Sequence, residues 1–212
     1  RRLSWETVVF QGLTVSTIRT IINRIMKSAT PTTLGYALLG LLHQEPRSGY
    51  DLRKIFETTP MGHYSGSPGA IYPALRRLEQ QGFIEGQVDH TTSLRPRQVF
   101  RPTETGTEMF QKWLARDVQR DDVIWRLDEL MLRFAFHSFL ESNTASRKFL
   151  TGFVAEVDGY IKELRQQLKM VPKETPIHGK LALELGVELY QAYRRWTRKA
   201  LEHFNENMSC ES

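Results

Sequence analysis

The pattern of apolar residues predicts two short helices after residue 32. Residues 33–44 are almost wholly apolar, which is typical of a helix buried on most of its sides. Ser48 and Asp51 have the spacing of a capping box, in which two side chains satisfy free backbone N–H groups at a helix start. The second helix ends before Thr59-Pro60, and its apolar positions are Leu52, Ile55 and Phe56.

A third helix is predicted between Ser67 and Gly82, and the rest of the chain is organised around it. Ser67 is a favourable N-cap, proline is tolerated in a first turn, and Gly82 is a typical helix stop. The apolar positions recur at helical spacing: Ile71, Leu75 and Leu78. The other face is polar, aromatic and basic, so this helix could lie in a DNA major groove. Taken alone, the stretch fits an ordinary amphipathic surface helix equally well.

Two short strands follow the third helix. They are predicted at Phe83–Val88 and Gln98–Arg101, and the segment between them is polar and basic. Three helices followed by a hairpin with a basic tip form the plan of a winged helix-turn-helix. In that design the third helix enters the major groove, and arginines of the hairpin, or wing, reach the phosphate backbone or the minor groove.

The remaining chain reads as mainly α-helical. A fourth helix opens at Thr103, and the charged segment Asp117–Asp122 is the predicted domain boundary. Helices are expected over 123–140, 144–170 and 177–205. The predicted domains are a partly helical N-terminal extension (1–32), a winged helix-turn-helix DNA-binding domain (33–116) and a helical dimerisation domain (117–212).

The N-terminal extension allows two interpretations. The spacing of its apolar residues predicts a helix over Thr14–Lys27 that would need tertiary contacts to hold it. Alternatively, Met26 is the natural start, and everything before it is an upstream extension.

The last helix carries an apolar stripe that is about six turns long, more than a small neighbouring helix needs. We expect this stripe to hold a homodimer, whereas the alternative is that it folds back on residues 123–168 of its own chain. Its members are Leu181, Leu185, Leu189, Ala192, Trp196, Ala200 and Phe204.

Composition and charge narrow the function classes. Hydrophobic content of 40% and charged content of 25% are those of a globular protein. The net charge is +5, and the excess of basic residues lies in the N-terminal half, as expected of a polyanion binder. Cys210 is the only cysteine and no apolar run is long enough for a bilayer, so we expect a cytoplasmic protein.

No enzyme motif is found in the sequence. The six histidines are scattered without metal-ligand spacing, and no P-loop, G-x-S-x-G or G-x-G-x-x-G sequence occurs. We therefore predict no catalytic residue, no metal and no cofactor. Trp113, Trp125 and Phe134 are candidates for an apolar effector pocket, although ordinary core packing is the simpler interpretation.

Several motifs together resemble the PadR family of bacterial transcriptional regulators. They are Thr33-Leu34-Gly35-Tyr36-Ala37-Leu38-Leu39-Gly40-Leu41-Leu42, Ser48-Gly49-Tyr50-Asp51-Leu52, Gly69-Ala70-Ile71-Tyr72-Pro73-Ala74-Leu75-Arg76-Arg77-Leu78-Glu79, Gly82-Phe83-Ile84, Arg95-Pro96-Arg97-Gln98-Val99-Phe100 and Thr103-x-x-Gly106. The C-terminal part looks like the longer helical domain of the branch that includes virulence-gene activators. Phe100 and Pro102 depart from the family pattern, and both lie in the wing.

The resemblance implies a function and a set of contacts. In the family, DNA contacts come from the start and outer face of the third helix and from the wing. When the family's contacts are carried over to this sequence, the resemblance implies eight DNA-binding residues: Ser67, Gly69, Ala70, Tyr72, Pro73, Arg76, Arg95 and Arg97. The resemblance also implies a homodimer, and some members respond to small molecules.

We therefore expect a PadR-like transcriptional regulator, acting as a homodimeric repressor on double-stranded DNA with a palindromic operator. One alternative is a small-molecule-sensing regulator whose effector pocket lies at the dimer interface. The other is a winged-helix adaptor that binds protein instead of DNA.

Overall fold

The computed structural model describes residues 30–89, 97–172 and 174–209. The predicted helix Thr14–Lys27, the wing-tip residue Arg95 and Cys210 lie outside these ranges. The chain divides into two compact units, Arg1–Thr107 and Glu108–Ser212. This division falls inside a helix, nine residues before the domain boundary predicted between residues 116 and 117, which stays a prediction.

In its described residues the first unit holds three complete helices and a small sheet, together with two 3₁₀ turns. In chain order the elements are α1 (Thr33–Gln44), β1 (Arg47–Ser48), α2 (Gly49–Thr58), 3₁₀ turns at Pro60–Tyr64 and Pro68–Ala70, α3 (Ile71–Gln80), β2 (Ile84–Asp89), β3 (Arg97–Pro102) and the start of α4 (Glu104–Ala115).

The first helix is the centre of this unit's core. Every residue from Gly35 to Leu42 is buried, as expected of a helix that is apolar on most sides. The Thr32 hydroxyl caps its start by accepting a hydrogen bond from the Gly35 N–H at 3.2 Å.

The sheet is antiparallel, with strand order β1-β3-β2. Strands β2 and β3 form the predicted wing hairpin, paired from Ile84 opposite Pro102 to Asp89 opposite Arg97. Strand β1 was not predicted, because two residues are too few to show a strand pattern; it pairs Arg47 with Phe100 on the other edge of β3.

The end of α3 forms a Schellman motif. Gly82 takes a left-handed φ of 73°, and its N–H donates to the Glu79 carbonyl at 2.9 Å. The N–H of Phe83 reaches back to the Leu78 carbonyl at 2.9 Å. The predicted glycine stop is thus confirmed, and the turn directs the chain straight into β2.

Every secondary-structure element among the described residues of the second unit is a helix or a 3₁₀ turn. Beyond the end of α4 it contains α5 (Arg120–Trp125), α6 (Leu127–Ala135), a 3₁₀ turn (His137–Leu140), α7 (Asn143–Met170) and α8 (Ile177–Ser209). Its core cluster comprises Val118, Val123, Leu130, Phe149, Leu150, Phe153, Val157 and Ile161. The two long helices pack side by side, with Asp158 of α7 paired to Arg194 and Arg198 of α8 at 3.4 and 3.1 Å.

The single helix predicted over 123–140 is wrong. Helix α5 already begins at Arg120, because the Asp122 carboxylate accepts the Gln119 N–H and closes a capping box. The chain then breaks at Arg126, whose φ and ψ of −138° and 37° are not helical, and α6 starts afresh. The charged segment 117–122 is therefore not only an irregular break, because its last residue, Asp122, caps a helix.

Candidate nucleic-acid interface

Helix α3 buries one face and exposes the other. Ile71, Leu75 and Leu78 are at most 2% exposed, which confirms the predicted apolar stripe. On the opposite face Tyr72 is 43% exposed, and the exposed residues beside it are Pro73, Arg76, Arg77, Glu79 and Gln80. The helix therefore presents a polar, aromatic and basic surface to solvent.

The entry to α3 differs from the prediction. Ser67 precedes a 3₁₀ turn at Pro68–Ala70 rather than the α-helix itself, and its side chain makes no capping hydrogen bond. Its carbonyl instead accepts the Ala70 N–H at 3.0 Å, which closes the tighter turn. The predicted capping role of Ser67 is therefore wrong, whereas Ser67 and Gly69 are both exposed, as a surface contact requires.

The start of α2 forms the predicted capping box. Asp51 accepts hydrogen bonds from the Ser48 hydroxyl at 2.7 Å and the Ser48 N–H at 3.2 Å, and the Ser48 hydroxyl accepts the Asp51 N–H at 3.2 Å. The hydroxyl of Ser48 is the main reason that the pKa of Asp51 lies below its usual value, and Arg97 adds to this effect. The carboxylate is therefore a fixed negative charge at the base of the wing.

Two polar pairs connect the wing to the helices. Arg97 at the start of β3 places Nη1 3.5 Å from Asp51 Oδ2. Its neighbour Gln98 donates from Nε2 to Glu79 Oε1 of α3 at 3.4 Å. Both pairs are exposed, so each contributes about 0–1 kcal/mol and can yield to a stronger ligand.

These elements enclose an open groove of about 580 Å³, which we call the helix–wing groove. It brings together three of the predicted residues, Tyr72, Arg76 and Arg97. The groove is lined by Ser48, Gly49, Tyr50, Tyr72, Leu75, Arg76, Glu79, Arg97, Gln98 and Phe100. Two arginines and two tyrosines thus face one opening together with the carboxylate of Glu79, and the excess of cations over anions suits contact with an anionic backbone.

Tyr50 is the residue of this surface that the sequence-based prediction missed. It lies at the second position of α2 and is 62% exposed. A signal was present, because the apolar face of α2 is set by Leu52, Ile55 and Phe56 and leaves Tyr50 pointing away from it.

The apolar stripe of the last helix is divided in the structure. Ala200 and Phe204 pack against the core of their own unit, so the fold-back interpretation applies to this end. Leu181, Leu185 and Leu189 are each more than half exposed. Ala192 is exposed, while Trp196 is 39% exposed and meets Phe134 edge to face at 5.2 Å.

The three aromatic residues suggested for an effector pocket lie in different surroundings. Trp113 is buried and donates from Nε1 to Glu129 at 2.9 Å. Phe134 packs on Phe149 within the helical unit, with ring centroids 5.9 Å apart. Trp125 is 77% exposed. Trp125 thus lacks the packed surroundings of the other two residues, and an effector pocket built from all three stays a prediction.

Within the described ranges, no group of three or more His, Cys, Asp or Glu residues could hold a metal ion. The acidic pairs Asp121-Asp122 and Asp128-Glu129 occupy the first turns of α5 and α6, where negative charge favours the helix dipole. No helix among the described residues is long and apolar enough to cross a membrane.

Three helices, with a wing hairpin folded beside the exposed face of the third, define a winged helix-turn-helix protein. Residues 38–112 match the sequence model of the Transcriptional regulator PadR-like family. The chain is therefore similar to this family over about a third of its length, and the relatives below are named as transcriptional regulators.

Two named proteins are similar to this chain. Negative transcriptional regulator PadR of Bacillus subtilis is 26% identical over 175 residues, which cover 79% of this chain and 95% of the relative. Transcriptional regulator YqjI of Escherichia coli is 26% identical over 125 residues, or 59% of this chain and 55% of that protein. The crystal structure of Bacillus subtilis PadR in complex with operator DNA is 25% identical, with a TM-score of 0.36, and the alignment covers 82% of this chain and 99% of that one.

Proposed function

We propose that this regulator binds double-stranded operator DNA through the helix–wing groove and represses transcription by occupying its operator. The observation that carries the proposal is the convergence of Tyr72, Arg76 and Arg97 on one open groove, beside a helix whose other face is buried. A helix about 10–12 Å across fits a major groove about 12 Å wide.

Each side chain has a distinct role in this proposal. Arg76 extends from the middle of α3 and can read a guanine edge through two parallel hydrogen bonds, or else bind a phosphate. Tyr72 donates its hydroxyl to a phosphate. Arg97 binds the backbone from the wing, and in exchange it gives up its long contact with Asp51.

The approach to α3 supplies further contacts in this proposal. Ser67 and Gly69 are exposed, and the absence of a side chain on Gly69 allows a phosphate to come close to the chain. Ala70 ends the 3₁₀ turn and Pro73 lies in the first turn of α3. Both are small surface residues, and in the proposal they make van der Waals contacts with the DNA. Arg95 joins them as a wing contact on the evidence of the sequence alone.

The proposed assembly is a homodimer in the cytoplasm. Leu181, Leu185 and Leu189 give α8 a row of aliphatic side chains in solvent, and contiguous apolar patches of this kind commonly mark protein–protein contacts. A second copy is the fitting partner because one winged helix covers too few base pairs for selectivity in a genome. A symmetric pair calls for a palindromic operator with half-sites about 34–36 Å apart, or a multiple of that distance.

The test is to incubate the full chain with fragmented genomic DNA, recover what it retains and sequence it. We expect enrichment of a palindromic motif, and the binding constant for that motif should fall steeply with salt. No enriched motif, together with salt-insensitive binding to a protein, would favour the adaptor alternative.

A further inference from the structure

The wing is supported unevenly along its length. Strand β1 pairs with β3 at Phe100 and Val99 and ends there, because α2 begins at the next residue, Gly49. Toward the tip, Gln98 and Arg97 are paired in the sheet with β2, which is itself part of the wing. The projecting part of the wing therefore relies on side-chain contacts for its position relative to the helices.

Two successive residues of β3 make such contacts with two different helices. Arg97 meets Asp51 of α2, with Nη1 3.5 Å from Oδ2. Gln98 donates from Nε2 to Oε1 of Glu79, in the last turn of α3, at 3.4 Å. When Arg97 moves from Asp51 to a phosphate, as the proposed function requires, the hydrogen bond between Gln98 and Glu79 still holds the wing beside α3.

The side chain of Gln98 reaches α3 by crossing over Gly86 of β2. In the register of the hairpin Gln98 lies opposite Val88, and Gly86 lies opposite Phe100. Opposite residues share a face of an antiparallel pair, and long side chains reach their diagonal neighbours. A Cβ on Gly86 would lie 2.9 Å from Gln98 Cδ and would collide with the amide nitrogen of that side chain. Gln98 can take this path because Gly86 has no side chain.

The backbone at Gly86 does not itself require a glycine. The glycines with a positive φ among the described residues are Gly66 and Gly82, so Gly86 has a conformation open to other residues. A glycine inside a strand weakens the strand, and it often marks a close approach by another group. Here that group is the Gln98 side chain, which supplies the three atoms nearest to an added Cβ. Gly86→Ala would therefore displace a flexible side chain and leave the backbone in place.

We propose that Gln98 is a positioning residue that holds the wing against α3, so that Arg97 and Arg76 reach one DNA duplex together. Arg76 and Glu79 lie three residues apart on the exposed face of α3, and the helix–wing groove brings Arg97 beside them. A wing bound to Glu79 therefore keeps Arg97 at a set distance from Arg76. This role rests on the proposed function, and Gln98 acts in it through Arg97 rather than through its own contact with DNA.

The salt dependence of operator binding tests this role, because it reports how many phosphates the protein neutralises. Gln98 is uncharged, so its loss changes the slope of log affinity against log salt only if a cation elsewhere loses its phosphate. We expect Gln98→Ala to weaken operator binding by the full chain about threefold and to cause about half of the slope change that Arg97→Ala causes. An unchanged slope would overturn the proposal, since a direct hydrogen bond from the Gln98 amide to DNA would affect affinity alone.

A double-mutant cycle tests the path over Gly86. Gly86→Ala should weaken operator binding about threefold in the parent, because the added Cβ pushes Gln98 away from Glu79. In a chain that carries Gln98→Ala it should have no further effect, because the space is then empty. Gln87→Ala, at the neighbouring exposed position of β2 outside the groove lining, is the matched control and should leave the affinity unchanged. Equal losses from Gly86→Ala in both backgrounds would contradict the proposal. If Gly86→Ala does not fold, the salt slope of Gln98→Ala still decides.

A nuclear magnetic resonance measurement without DNA separates failure of this role from failure of the proposed DNA binding. The side-chain amide signals of Gln98 should shift in Gly86→Ala and in Glu79→Ala, whereas Gln87→Ala should leave them in place. Signals that stay in place in Gly86→Ala would contradict the contact whether or not the protein binds DNA. A parent chain that retains no operator would refute the proposed function. Operator binding by the parent, together with an unchanged salt slope in Gln98→Ala, would refute the positioning role alone.

Discussion

Arg76 and Arg77 are adjacent on α3 but have different surroundings. Arg76 lines the helix–wing groove, while Arg77 is exposed outside that lining. We expect Arg76→Ala to cost about 1–3 kcal/mol of operator binding and to relax selectivity at one base position. Arg77→Ala is the matched control and should change the affinity by less than half of that amount. Fluorescence anisotropy on operator variants measures both, and equal losses would contradict base reading by Arg76.

A substitution of Arg97 tests whether the wing contacts the DNA backbone. Because its contact with Asp51 is long and exposed, releasing it costs little, and a phosphate can take its place. Arg97→Ala should weaken binding almost equally for all sequences and reduce the slope of log affinity against log salt by about 1. Arg53→Ala, which removes an exposed arginine paired with Glu57 on α2, is the control. A wing variant with an unchanged salt slope would exclude phosphate contact by Arg97.

His137 predicts a pH effect on stability. Burial, with a smaller contribution from Arg133, lowers the pKa of His137 to about 4, although the Leu114 carbonyl acts in the opposite direction. The pKa is higher in the unfolded chain, about 6.5, so protonation favours unfolding. Its contribution to stability is complete above pH 6.5 and is lost as the pH falls towards 4, with a loss of about 2 kcal/mol at pH 5.

The measurement is thermal or denaturant unfolding of the parent and of His137→Phe at pH 7 and pH 5. The variant should lose less stability than the parent between these values. His178→Phe removes an exposed histidine and serves as the control. If the parent and His137→Phe lost the same stability between pH 7 and pH 5, His137 would not be the source of the pH effect.

At the level of elements, Gly106 shows how closely α4 packs on the end of α3. A Cβ at this position would collide with the backbone carbonyl of Phe83, which cannot move without disturbing the wing. The Thr103 hydroxyl accepts the Gly106 N–H at 3.0 Å and donates to the Gly82 carbonyl at 2.6 Å, which fixes the turn on both sides.

Gly106→Ala should therefore destabilise the first unit by about 1–3 kcal/mol, despite the better helix propensity of alanine. Gly69→Ala is the control, because a Cβ there would meet nothing closer than 4.0 Å. Unfolding curves of both variants test this prediction. An unchanged midpoint for Gly106→Ala would contradict it, because the Phe83 backbone would then be able to move away from the added methyl group.

Local chemistry explains which elements the sequence could predict. The Ser48–Asp51 box and the Gly82 stop depend on residues within a few positions of each other, and both are confirmed. The break at Arg126 carries no glycine or proline, so the apolar spacing over 123–140 looked continuous. The capping role of Ser67 failed for a similar reason, since a 3₁₀ turn and an α-turn suit the same Ser-Pro pair.

For the candidate DNA surface, the sequence predicted which side chains are exposed better than it predicted which of them lie next to one another. Tyr72 and Arg76 follow from the helical period of α3, because the buried stripe leaves them outside. The burial of Arg133 and His137 could not be predicted this way. They lie on a helix and a turn whose sequence reads as an ordinary charged surface, and only the fold shows that both side chains are buried.

At the scale of the whole molecule, the exposed part of the α8 stripe predicts the oligomeric state. Leu185 and Leu189 are 59% and 51% exposed, so charging them removes only a part of their packing within the described fold of one chain. Ala200 and Phe204, by contrast, hold α8 on its own core. The two halves of the stripe should therefore respond differently to substitution.

Leu185→Glu combined with Leu189→Glu should give a monomer, because four like charges would meet in a symmetric contact without partners. That monomer should keep its helical content and lose operator affinity by at least tenfold, since each head then binds alone. Glu202→Lys changes a charge at an exposed position of the same helix and is the control. Phe204→Glu should instead unfold the second unit, because it removes an aromatic residue from the core. Sedimentation of the parent at tens of micromolar decides the main point, and a monomer there would refute the dimer.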